Sequence, residues 1–170
     1  MDNCYDSEKG TFRLRAGAIL VRDGKVLMMK GRLAEGGKEV MYSLGGAIMF
    51  QETAEEAIIR ETKEEIGLSI RVKRLVCIHE NFFDVEDLGN NHEVSFYYLV
   101  EPVHEEDLKK PFLKTPLEEA VWIPIDDYQS YDAYPAFFKD TLKQLDDERI
   151  QTIVTRLAKE LSLIHISEPT

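Results

Sequence analysis

Residues Gly46–Leu68 read GAIMFQETAEEAIIRETKEEIGL, and the spacing of charge along this stretch governs the reading of the whole chain. A glycine, a lone glutamate, an Arg-Glu pair, a Glu-Glu pair and a closing glycine stand at fixed intervals. Thr53 can cap a helix here, with Glu56 three residues on completing a capping box. Ala54, Ala57, Ile58 and Thr62 give that helix an apolar stripe, and Gly67 ends it. Glu61, Glu64 and Glu65 fall at i, i+3 and i+4, so their carboxylates share one face. Like charges so placed repel unless a cation sits among them. Hard divalent ions such as Mg²⁺ take clustered carboxylate oxygens, and they bind together with substrate phosphates. The spacing reads as a metal-and-pyrophosphate site.

The stretch resembles the Nudix box, G-x5-E-x7-R-E-U-x-E-E-x-G-U with U aliphatic. Gly46, Glu52, Arg60, Glu61, Glu64, Glu65 and Gly67 stand at the fixed letters, with Leu68 at the last U. Three positions depart from the usual pattern. Thr62 replaces an aliphatic residue, Leu44 stands where proline often precedes the two glycines, and Gln51 stands where glycine often precedes the glutamate.

That resemblance implies an α/β fold of the Nudix type, an α/β/α sandwich whose mixed sheet carries the box helix and a C-terminal helix. It also implies Mg²⁺ or Mn²⁺ held by Glu61, Glu64 and Glu65, with the Gly46 carbonyl as a further ligand. Glu52 and Arg60 would pair and tie the loop to the helix, supporting catalysis by Glu61 and Glu64. The implied reaction is hydrolysis of a phosphoanhydride in a nucleoside diphosphate linked to a second group. Its general base is either a box glutamate or a carboxylate from a distant loop, where Glu118 and Glu119 are candidates. The alternative is a catalytically silent Nudix domain that senses nucleotides or binds a partner; silent members usually lose box carboxylates, and all four are kept here.

At 170 residues the chain suits one domain with a full core. Residues 11–160 are taken as that domain and 1–10 as a mobile tail. The tail carries Asp2, Asp6 and Glu8 and lacks the apolar stretch of a secretory leader. No apolar run is long enough to span a bilayer. With 21 basic and 32 acidic residues the net charge is −11, which repels a long nucleic acid and leaves a small nucleotide, neutralised by a cation, as substrate. Cys4 and Cys77 lack metal-ligand spacing and fit a reduced cytoplasm. A homodimer stays open. The last ten residues, LSLIHISEPT (161–170), match an in-frame translation of a transposase-type sequencing adapter, so they are read as a non-native scar and kept out of fold reasoning.

Outside the box, residues 12–22 read as a strand, and Asp23-Gly24 as a hairpin turn into KVLMMK. Gly31 to Glu39 reads as a loop and Val40 to Leu44 as a short strand. Ser69 to Phe83 reads as a long strand, Asp84 to Asn91 as an acidic loop, and Val94 to Val100 and Ala120 to Ile125 as further strands. AFFKDTLKQL after Pro135 has the pattern of an amphipathic helix, and Ile150 to Leu157 fits either a helix or a closing strand.

Substrate contacts are sought around the acidic loop. Asn81 suits a base edge, and either Phe82 or Phe83 could offer a stacking face, though alternation points only one of the rings into a cleft. Glu93 and Glu119 complete the candidates. ADP-sugar members of the family tend to carry a proline about sixteen residues beyond the box, and dinucleoside-polyphosphate members a tyrosine near there. This chain has Asn81-Phe82-Phe83-Asp84-Val85 instead.

Overall fold

Asp23 and Gly24 take φ of 51° and 71°, the paired positive values of a type I′ turn. They join β3 (Val21–Arg22) to β4 (Lys25–Arg32). The computed structural model describes residues 4–8, 10–32, 37–85, 89–158 and 161–167. Its other strands are β1 (Cys4–Ser7), β2 (Gly10–Ile19), β5 (Glu39–Ala47), β6 (Ile70–Val85), β7 (Gly89–Pro102), β8 (Glu118–Pro124), β9 (Ala133–Tyr134), β10 (Gln151–Ala158) and β11 (Leu161–Ser167). The main path across the sheet is β11-β10-β6-β7-β2-β5-β4-β3, with β1 on β2, β8 on β4 and β9 on β5. The sheet is mixed: β2 runs parallel to β7, β10 to β6 and β9 to β5.

Alternation along β2 and β4 feeds two cores. Ala16, Ala18, Leu20, Leu27 and Met29 face the helix α1 (Ala54–Ile66) and meet its buried Ala57, Ile58 and Ile66. Ile19, Val26 and Met28 face the other way, onto Tyr97, Phe137, Phe138 and Leu142. Each fully buried side chain of this size stabilises the fold by roughly 1.5–3 kcal/mol. The sheet is thus sandwiched between α1 and the segment around α2 (Phe138–Thr141), as the α/β/α expectation requires. Among the described residues, no helix is long and apolar enough to cross a membrane.

Several elements differ in extent from the sequence reading. The strand expected over 12–22 breaks at Leu20 into β2 and β3. Gly31 and Arg32, expected in a loop, continue β4; residues 33–36 of that loop lie outside the described residues. Most of the expected acidic loop is hairpin ladder, since Asp84 pairs Asn90 and Val85 pairs Gly89; residues 86–88 lie outside the described residues. The C-terminal helix is short. After α2, Leu142–Gln144 tightens to a 3-10 turn, and Arg74 then ties down the carbonyls of Leu145 at 2.6 Å and Asp147 at 3.1 Å. The ambiguous segment after Ile150 is strand β10, because its Ile153 and Thr155 bury beside β6. The backbone of β11 pairs antiparallel with β10. The expected tail at 1–10 includes β1, which pairs with β2.

Candidate active site

The box helix begins as its sequence dictates. Thr53 Oγ1 accepts from Glu56 N at 3.1 Å, and Glu56 Oε2 accepts from Thr53 N at 2.8 Å. At the other end Gly67 takes φ 75° and donates to the Lys63 carbonyl. Thr62 is wholly buried; its hydroxyl donates to the Ile58 carbonyl at 2.8 Å, so it packs without leaving a polar atom stranded. Gln51 adopts φ 65°, which explains why glycine is common there. Leu44 is fully buried in the core beneath α1.

Arg60 organises the charges. Its Nε reaches Glu52 Oε1 at 2.7 Å and its Nη2 reaches Glu52 Oε2 at 2.9 Å. Nη2 also donates to the Ala47 carbonyl at 3.1 Å, joining the helix to the end of β5. Nη1 takes Glu61 Oε1 at 2.7 Å and Glu64 Oε2 at 3.2 Å. Glu52 Oε2 further accepts from Met49 N at 2.9 Å, closing the loop before α1. Ion pairing with Arg60 holds Glu52 below the ordinary carboxylate range.

Two adjacent glycines let the helix carboxylates lie against β5. A Cβ on Gly46 would stand 2.4 Å from the Glu61 carboxyl carbon. Gly45 N donates to Glu65 Oε2 at 3.2 Å. Burial pushes the Glu65 carboxyl up to about 7, opposed by that amide and by the charge of Arg15. Among the described residues, no three acid, histidine or cysteine side chains converge on one point as a metal cage. One nitrogen of Arg60, Nη1, bonds both Glu61 and Glu64.

The remaining candidates lie in three places. Glu119 pairs with Lys30 at 2.7 Å. Its neighbour Glu118 accepts from the Tyr42 hydroxyl instead and acts electrostatically on Glu65. Strand alternation on β8 separates the two. Asn81 stands opposite Glu93, and both belong to the sheet face away from α1. Glu93 is 7% exposed, takes Arg13 Nε at 2.8 Å and accepts from the Ser95 hydroxyl at 3.0 Å. Burial opposes its charge, yet Arg15 and Arg13 keep it below the usual range. Phe82 turns to the other face, stacked on His92 at 4.2 Å, with the Arg156 guanidinium 4.0 Å from its opposite side. Both faces of that ring are taken, so the expected open stacking face is not at Phe82. Phe83 is half-buried, and alternation along β6 puts it on the face that Asn81 occupies.

Sequence reasoning missed Arg15 and Tyr42. Arg15 is 8% exposed, donates to the Ser43 carbonyl at 2.8 Å and to its hydroxyl at 3.2 Å, and acts on both Glu65 and Glu93. The alternation of Arg13, Leu14 and Arg15 was the available signal, since it puts two cations on an inner sheet face. Tyr42 gave no such signal.

A carboxylate helix clamped by its own arginine against a glycine-bearing strand, inside this sandwich, is a Nudix arrangement. The chain belongs to the NUDIX domain family, which it matches over residues 11–145. It is 38% identical over 63 residues to an ADP-ribose pyrophosphatase from Methanocaldococcus jannaschii, a match spanning 37% of this chain and 37% of that protein's length. In fold it is similar to a MutT mutator protein from Bacillus halodurans, with TM-score 0.67 and 17% identity over 92% of this chain and 97% of that one. A MutT NUDIX hydrolase from Burkholderia pseudomallei gives TM-score 0.55 and 25% identity, over 79% and 98% of the two chains.

Proposed function

We propose that this chain is a metal-dependent pyrophosphohydrolase cleaving a phosphoanhydride in a small nucleoside diphosphate linked to a second group. The observation that carries the reading is the unbroken set of Glu52, Arg60, Glu61, Glu64 and Glu65 on one helix and its leading loop. A merely solvated helix would have no use for half-buried carboxylates resting against backbone glycines.

The donor set suits a hard divalent ion. Glu61, Glu64 and Glu65 would hold it together with the Gly46 carbonyl, and the space above Gly46 that a Cβ would fill is where the Glu61 carboxylate lies. When bound, Mg²⁺ or Mn²⁺ would neutralise the diphosphate oxygens and lower the pKa of a bound water. The chain's own residues do the rest. Arg60 and Glu52 keep the loop against the helix. Glu118, outside the box and within electrostatic reach of Glu65, is the better placed of the two distant carboxylates to accept a proton from water. It also lines an open groove of ≈ 360 Å³ with Lys30, Arg32 and Lys114, which gives a substrate room to approach.

The net charge of −11 favours a small nucleotide over a long polyanion. Cys77 is a buried free thiol, in keeping with a reducing compartment such as the cytoplasm. A silent nucleotide sensor is the second reading, and the retained glutamates weigh against it. The test is a nucleotide-panel hydrolysis screen with Mg²⁺ or Mn²⁺, products resolved to locate the broken bond. Release of a phosphate-containing product from at least one nucleoside diphosphate derivative is expected. No turnover of any member with either metal would remove the enzymatic reading in favour of the sensor.

A further inference from the structure

Gly31 lies between Tyr42 and Glu118. On β4, Gly31 pairs with Val40 of β5 on one side and with Glu118 of β8 on the other. Tyr42 starts two residues further along β5, so its ring must cross β4 diagonally to reach Glu118. Only a residue without a side chain leaves that path open: a Cβ on Gly31 would meet Tyr42 Cε1 at 2.9 Å and its hydroxyl oxygen at 3.1 Å. The hydroxyl then donates to Glu118 Oε1. The same phenol feels the charges of both Glu118 and Glu65. Its ring packs against the core beneath α1, which fixes where the hydroxyl can go.

Glu118 needs such a hold. It is an exposed side chain at the first position of an edge strand, and no cation pairs with it among the described residues, whereas its neighbour Glu119 has Lys30. An unrestrained glutamate there would sweep through several rotamers and spend little time near the box. We infer that Tyr42 is a positioning residue, reaching across Gly31 to hold the Glu118 carboxylate beside the box helix for its part in hydrolysis. This rests on the proposed pyrophosphohydrolase activity. Tyr42 itself touches no reacting atom in this scheme; it acts through Glu118.

The test compares wild type, Tyr42→Phe, Gly31→Ala, Glu118→Gln and the Tyr42→Phe/Glu118→Gln double variant on one hydrolysed nucleotide. Mn²⁺ titration and melting temperature are measured for each protein. Glu118→Gln should lower kcat by about 10²-fold, as loss of a general base does. Tyr42→Phe should lower it by about tenfold with KM little changed, and the double variant should be no worse than Glu118→Gln alone. Gly31→Ala keeps the hydroxyl but blocks its path, so it should match Tyr42→Phe; it also serves if the phenylalanine variant folds poorly. Mn²⁺ affinity of Tyr42→Phe should stay within about twofold of wild type, separating a hold on Glu118 from a general weakening of the box. Wild-type kcat in Tyr42→Phe, multiplying losses in the double variant, or a tenfold loss of Mn²⁺ affinity would each overturn the inference while leaving the hydrolase reading intact. A wild type that hydrolyses nothing removes both.

Discussion

Arg60 grips Glu52 with two parallel hydrogen bonds, Nε to Oε1 at 2.7 Å and Nη2 to Oε2 at 2.9 Å, across a helix start and a turn. The remaining nitrogen is spent on Glu61 and Glu64. A planar fork is required for this, because one guanidinium must present separate edges to the loop and to the helix. Replacing Glu52 removes the loop's anchor; replacing Arg60 also leaves the carboxylates of the helix to repel one another.

Arg60→Lys should therefore behave as a damaging substitution despite its kept charge. We expect a melting temperature lower by several degrees and a kcat reduced by about tenfold or more. The defect should deepen as the pH rises through about 7, where Glu65 ionises and adds its charge to the crowded helix face. A variant with wild-type melting and turnover would show that a point charge is enough at this position.

Glu61→Gln and Glu65→Gln address the metal directly. Each should lower kcat by about 10²-fold or more, since charge stabilisation of this kind is a large catalytic term. Chelation of divalent ions should abolish activity, and added Mg²⁺ or Mn²⁺ should restore it. Full turnover in chelator, or in both variants, contradicts the metal assignment.

The box helix was legible residue by residue because its signals are local. A cap, a capping box, an apolar stripe and a terminal glycine all act within a few turns of chain. The short C-terminal helix was overread for the opposite reason: its apolar spacing suits a longer helix, but Phe137 and Phe138 both bury and Arg74, far away in sequence, captures the carbonyls at its end. Arg15 and Tyr42 escaped notice because their roles depend on which strands become neighbours. No spacing along one strand says that Gly31 will lie under a tyrosine from the next.

Phe82 and Phe83 now have unequal prospects. Phe82 has His92 on one face and Arg156 on the other, so Phe82→Leu should lower the melting temperature and leave KM unchanged. Phe83→Leu is the remaining test of base stacking, with a rise in KM of roughly tenfold expected if the ring contacts the base. Wild-type KM in both variants would place base recognition elsewhere.

His79 predicts an acid limb in stability. Burial lowers its pKa from 6.5 to about 4, with Glu93 and Arg15 pulling in opposite directions, and its ring bonds the Thr155 hydroxyl at 2.8 Å. The folded value lies below the unfolded one, so the unfolded chain binds the extra proton between them. Stability from the neutral ring is complete above about pH 6.5 and falls as the pH drops towards 4, by about 1.4 kcal/mol per pH unit. Melting temperatures measured across that window should fall more steeply for wild type than for His79→Gln. Parallel curves would mean that His79 titrates normally.

Deleting residues 161–170 should leave activity unchanged, because β11 is the far end of a sheet whose other half carries the box. If the segment is an adapter remnant, the melting temperature should hold as well. A fall of several degrees would instead show that the β10–β11 pairing is part of the stable fold.

The parallel pairing of β2 with β7 sets the order in which a growing chain can fold. Arg13 and Glu93 meet across 80 positions, and Gln151 must return to Cys77. Ribosomal synthesis completes the box at Leu68, before β7 or β8 exists. The carboxylate helix therefore emerges with β2, β4 and β5 already made beneath it, but without β6, β7 and β8 to complete the sheet on either side, and contacts of such long separation close slowly. Until translation has passed Glu118, a nascent chain carries the recognisable motif without the carboxylate that Tyr42 reaches across Gly31.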